Sequence, residues 1–258
     1  MARGFSVHVG VSFTNGFAEE APGCGEAAQA LAARLQGLGF AVAAPIIDDE
    51  ATLPNVEERF RKVFEDLSDN DLLVVSLAGH GRQSPDGGDE EEPANQFFAL
   101  FNQWWKDDDI KGLLAEITVR ARVLFIAQAC ASASLVGPAA FLARLVDKFS
   151  PSRVAGRRAL ARAAREPRMS DDTLLARLTA DVLQLAACKE NEKTLAAMVE
   201  GGLPPFTEAL LAEMETGSDY PDLRTRIRTR ITPPNPSPVL NTRFVRDGAF
   251  ITQRPFTV

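Results

Sequence analysis

Histidine is scarce in this chain: His8 and His80 are the only two among 258 residues. Cysteine is nearly as rare, and Cys24, Cys130 and Cys188 are odd in number and far apart. That pattern suits free thiols in a reducing compartment and excludes a disulfide framework. The start, MARGFSVHVGVSF, lacks the charged opening, long apolar middle and small-residue cleavage site of a signal peptide. No apolar run approaches the roughly 18 residues of a membrane helix, so a cytoplasmic protein without membrane association is expected. An excess of positive charge is also missing. The net charge is −7 and the pI is near 5.0, which argues against a general nucleic-acid binder. There is no internal repeat, and APGCGEAA is not a Walker phosphate loop.

What is present reads as one α/β domain, long enough to bury roughly 70 to 75% of its unfolded surface without a disulfide or metal staple. The run from Phe5 to Phe13 alternates as a strand, with Phe5, Val7, Val9, Val11 and Phe13 on one face. A helix from Glu26 to Leu38 closes at Gly39, and Phe40 to Ile47 is the next strand. Glu57 to Leu67 is a second amphipathic helix, and Asp71 to Ala78 a strand too apolar to have a wet face. A loop from Gly79 to about Asn95 leads into the aromatic FFALFNQWW, a helix from Asp108 to Ile117 and the strand Arg122 to Ala127. Helices are expected across Ala139 to Phe149, Asp171 to Leu178, Phe206 to Met214 and Leu223 to Ile231, with a strand from Asp181 to Ala187. The residues after the proline cluster PPNPSP suit one or two edge strands. This alternation implies a three-layer αβα sandwich around a mostly parallel, six-stranded sheet.

Open sheets of this kind bind ligands beyond the carboxyl ends of their strands. Two reactive residues fall at that edge. His80 stands between Gly79 and Gly81, just past DLLVVSLA, and Cys130 stands just past RVLFIA. A cysteine protease needs a thiol, a proton carrier and backbone N–H groups aimed at the oxyanion. Cys130, His80 and the N–H groups of Gly81 and Cys130 meet that need. A lone cysteine near a strand end is more often packing, but the pairing with His80 argues for chemistry. His8, between Val7 and Val9, reads as structural.

Gln128-Ala129-Cys130 matches the start of the caspase signature, which also has a histidine about 50 residues upstream. Other segments resemble the caspase, metacaspase and paracaspase superfamily in order: APGCGEAAQALAARLQGLGFAV, LLVVSLAGHG, DGGDEEEP, DDDIKGLL, DVLQLAACKENEKTLAA and GLPPFTEALL. The resemblance implies a caspase–hemoglobinase fold and a Cys/His-dyad endopeptidase acting on protein or peptide substrates. It divides the chain into a large-subunit-like part, 1–149, an Arg-rich linker, 150–170, and a small-subunit-like part, 171–258. Compact bacterial relatives act as regulated effectors of cell death or anti-phage defence, so a regulatory ligand or partner protein is a further expectation. The departure is Cys130-Ala131-Ser132-Ala133-Ser134, where family members usually place glycine soon after the cysteine. It keeps open a non-catalytic scaffold or signal-binding module.

By the same resemblance, Glu26 and Gln128 fall on substrate-binding positions. Glu26 matches one of two acids with which metacaspases bind arginine or lysine, whereas Gln128 is the caspase residue. One carboxylate still pairs with a guanidinium, which favours a basic residue before the scissile bond. A plain helix-start acid is the competing reading of Glu26. Arg153, Arg157, Arg158, Arg162, Arg165 and Arg168 crowd the linker, where relatives are cut, so self-cleavage there is expected; a solvated helix is the alternative. No cofactor is required by the dyad. The carboxylates of Asp86, Asp89, Asp107, Asp108 and Asp109 nevertheless have the hard oxygens suited to a calcium ion, or are simply solvated.

Overall fold

A computed structural model of the protein describes residues 1–83, 96–129, 171–189, 196–197, 201–231 and 236–258. The helix expected across Ala139 to Phe149 lies outside the described residues. The apolar runs become strands buried on both faces: β1 (Gly4–Gly10), β4 (Leu72–Ala78), β8 (Arg122–Gln128) and β9 (Asp181–Ala186) lie parallel and adjacent. Their order is β9-β8-β4-β1. β10 (Val239–Phe244) closes one edge, antiparallel to β9. At the other edge, β2 (Ala41–Val42) and β3 (Ile46–Ile47) both pair with β1. The seven-stranded sheet is thus six positions wide.

The single strand expected over Phe40 to Ile47 is therefore interrupted. Its register gains one residue between the pairs Ser6↔Val42 and Val9↔Ile46. Pro45 falls in that gap, where it lacks a ladder N–H, as edge strands and bulges tolerate.

Helices cover the two faces. Alternate residues Val7, Val9, Leu73, Val75, Leu77, Val123 and Phe125 pack with α2 (Leu53–Asp66), α3 (Asp107–Leu114) and α4 (Asp171–Arg177). The opposite residues, among them Leu72, Val74, Leu124, Ile126, Leu183 and Leu185, pack with α1 (Cys24–Gly37), α5 (Pro205–Glu213), α6 (Tyr220–Arg230) and the short α7 (Gly248–Thr252). Each fully buried leucine or valine of these strands contributes about 1.5–3 kcal/mol. Gly39 follows α1 with φ +86°, the left-handed C-terminal conformation that glycine favours. Among the described residues no helix is long and apolar enough to cross a membrane.

From β1 the chain places β2 and β3 on one side and then crosses back to place β4 on the other. That reversal is the switch point at which an open α/β sheet leaves a crevice. Above it stands a second, antiparallel sheet of β5 (Gly81–Gln83), β6 (Gln96–Ala99) and β7 (Trp104–Lys106). FFALFNQWW supplies its hairpin: Leu100 N–H donates to the Gln103 carbonyl at 2.9 Å across the turn.

Candidate active site

His80 lies where β4 leaves the main sheet for the small one, and its backbone is tied to both. The Gly79 N–H donates to the Gln128 carbonyl at 3.1 Å, and the Ala99 N–H to the His80 carbonyl at 2.9 Å. A Cβ on Gly79 would stand 2.9 Å from Phe98 Cζ, so glycine lets the Phe98 ring close under this corner. Since Ala99 bonds to His80, the Gly81↔Phe98 pair is of the non-hydrogen-bonded kind. The Gly81 N–H therefore points away from β6.

The His80 ring meets Trp104, the first residue of β7, with centroids 6.1 Å apart and planes tilted by 45°. Trp104 in turn makes a T-shaped contact with Phe17, with centroids 5.3 Å apart. Phe17 belongs to the loop after β1, which is fixed to the hairpin by the Phe13–Phe101 edge contact at 6.2 Å and by Asn15 N–H to the Phe101 carbonyl at 2.9 Å.

Gln128 ends β8 and is buried, and its Oε1 accepts a hydrogen bond from the Thr207 hydroxyl of α5. Two positions on is Cys130, outside the described residues. Cys188, just past β9, is buried, and its Sγ lies 3.3 Å from the Ala129 carbonyl. Cys24 is likewise buried.

Glu26, half-buried, is in the first turn of α1, where the helix dipole favours an acid. Asp48, in the 3₁₀ turn Asp48–Glu50, is its neighbour. Burial pushes the Asp48 carboxyl above its usual range, opposed by the backbone N–H groups of Ser12 and Phe13, and the charges of Glu26 and Asp49 add to the rise. Ser12 N–H reaches Asp48 Oδ1 at 2.7 Å, while Ser12 Oγ accepts from Gly25 N–H at 3.0 Å. Gly23, with φ +86°, brings the start of α1 so near the later chain that a Cβ would lie 2.6 Å from the Gly202 carbonyl.

The acids before the cysteine strand have other partners. Asp107 is fully buried with Lys111 Nζ at 2.9 Å, and Asp108 has Lys106 Nζ at 3.2 Å. Asp109 is exposed. Asp86, Asp89 and the arginines Arg153, Arg157, Arg158, Arg162, Arg165 and Arg168 lie outside the described residues. Among the described residues no group of three or more His, Cys, Asp or Glu side chains is placed to hold a metal ion.

His8 is buried in β1, with Nδ1 2.7 Å from Ser76 Oγ, and burial lowers its pKa to about 3. That fits the structural role expected of it. Trp104, Asp48 and Thr207 escaped the sequence reading. A turn-like Asn102-Gln103 between two aromatic runs was the available sign of the hairpin that bears Trp104.

Comparison with known proteins bears on the same regions. No curated protein matches the chain. A crystal structure of a protein from Geobacter sulfurreducens is similar over 99% of both chains, with a TM-score of 0.77 at 23% identity. Caspase-1 from Spodoptera frugiperda is similar over 94% of this chain and 87% of its own, with a TM-score of 0.59 at 17% identity. At such identities these likenesses concern the fold. A family model described as the caspase domain, of the C14 peptidases, matches residues 3–247. From β1 to beyond β10, this chain belongs to the caspase domain family of cysteine peptidases.

Proposed function

We propose that the protein is a cysteine endopeptidase with Cys130 as nucleophile and His80 as its proton partner. One observation carries this reading. β4 and β8 are adjacent and parallel with Ala78 paired to Gln128, and His80 and Cys130 each follow that pair by two positions. In the proposed reaction the Cys130 thiolate attacks the scissile carbonyl carbon, and the imidazolium of His80 protonates the departing amine. Water, deprotonated by the imidazole, then hydrolyses the thioester and restores the thiol. The N–H groups of Gly81 and Cys130 hold the oxyanion, a role supported by the Gly81 N–H turning away from β6. Proton transfer of this type contributes about 10² to 10⁴ in rate, and one oxyanion donor about 10² to 10³.

For specificity we favour arginine or lysine before the scissile bond. Glu26 shares its surroundings with Asp48 and Asp49, and a cationic side chain would relieve their mutual repulsion. Such an enzyme would also cut the Arg-rich linker of its own chain.

The test is a fluorogenic peptide panel with arginine, lysine, aspartate or leucine before the cleavage point, with and without calcium. Wild type should cleave after arginine or lysine, Cys130→Ala should be inactive, and Glu26→Ala should lose the basic preference. Intact mass over time should show fragments ending in 150–170 for wild type alone. Inactivity under every condition would overturn the peptidase reading in favour of a scaffold.

A further inference from the structure

We infer that Trp104 is a positioning residue for the dyad, holding the His80 ring and favouring its protonated form. The inference rests on the reading of His80 as proton carrier. The contact comes from the β6–β7 hairpin, not from either strand that leads to the dyad. Successive residues of β7 point oppositely. Trp105 is fully buried, edge-on to Phe60 at 6.1 Å, and anchors the strand. Trp104 faces the other way, to His80. Phe17 backs the indole at 5.3 Å, so the ring is clamped between the loop after β1 and the imidazole. No partner is found for the buried Trp104 Nε1 among the described residues. Among the described residues, packing against Phe17 and His80 sets the orientation of the indole.

The quadrupole of an indole stabilises a cation about 6 Å from its centroid, and the tilted His80 and Trp104 rings have centroids 6.1 Å apart. At the exposed-site strength of that interaction, the protonation equilibrium of His80 shifts two- to five-fold, or about half a pKa unit. Among the described residues, the other charged groups on the surrounding elements are Arg82 of β5, Lys106 of β7 held by Asp108, and Glu19 and Glu20 of the loop after β1. All stay in place when only Trp104 is changed.

The experiment is an NMR histidine titration of the full chain in a Cys130→Ala background, comparing Trp104 with Trp104→Phe and Trp104→Leu. Only two histidines are present. His8, with a pKa of about 3, stays neutral over the working range, so the titrating signal is that of His80. Trp104→Leu should lower its midpoint by about half a unit and remove the indole ring-current shift, with Trp104→Phe restoring most of the midpoint. In the active enzyme the alkaline limb of kcat/KM should move down equally, whereas a merely structural loss would reduce rate without moving the limb. Identical midpoints and ring shifts in all three proteins would overturn the inference. An inactive wild type would refute the peptidase and not the contact.

Discussion

Replacing His8 by glutamine should make the protein less sensitive to mild acid. In the folded chain His8 is buried at a pKa of about 3, against 6.5 when exposed. The folded pKa is depressed, so this site's contribution to stability is present above pH 6.5 and is lost as pH falls from there toward 3. Across that range the unfolded state takes up a proton that the folded site refuses. Between pH 7 and pH 5 the two pKa values give a loss of about 2 kcal/mol, growing to about 4 kcal/mol by pH 3. Glutamine reaches Ser76 with an amide and does not titrate. Urea unfolding of the Cys130→Ala protein at both pH values is the assay. With an m-value of about 1–3 kcal/mol/M, the parent midpoint should fall by about 0.7 to 2 M more than that of the His8→Gln variant. Equal falls in both proteins would show that His8 is not held neutral in the fold.

Three further outcomes follow from buried contacts. Lys111→Ala removes the cation from beside the fully buried Asp107 and should cost about 3–5 kcal/mol in urea unfolding, whereas Lys111→Met with Asp107→Leu should cost far less. Gly79→Ala puts a methyl against Phe98 and displaces His80; kcat/KM should fall about 10²-fold with the fold retained by circular dichroism, and Phe98→Leu should restore part of it. Thr207→Val removes the hydrogen bond to Gln128 and should destabilise by about 1–3 kcal/mol, read as a lowered unfolding midpoint.

How much of this was legible depended on whether the deciding contacts were local. β4, β8 and β9 were readable because each is a short apolar run, and two-sided burial gives such runs their composition. His80 stood out through its strand end and flanking glycines. The break between β2 and β3 did not, since Ala43, Ala44 and Pro45 form a bulge only through their register on β1. FFALFNQWW has no clean period, because Phe97 and Phe98 are both buried: one strand of a small sheet is covered on two sides. Asp48 and Thr207 are brought to the site by pairings distant along the chain, Asp48 with Ser12 and Thr207 with Gln128. No local pattern marks either residue.

The central claim, that Cys130 and His80 work as a pair, is tested most directly by the rate of iodoacetamide alkylation of Cys130 against pH, by intact mass. Cys24 and Cys188 are buried and should not compete. In wild type the thiolate should be populated well below the ordinary cysteine pKa of about 8.5, and His80→Ala should return the profile to that value. The same profile in both proteins would contradict the dyad.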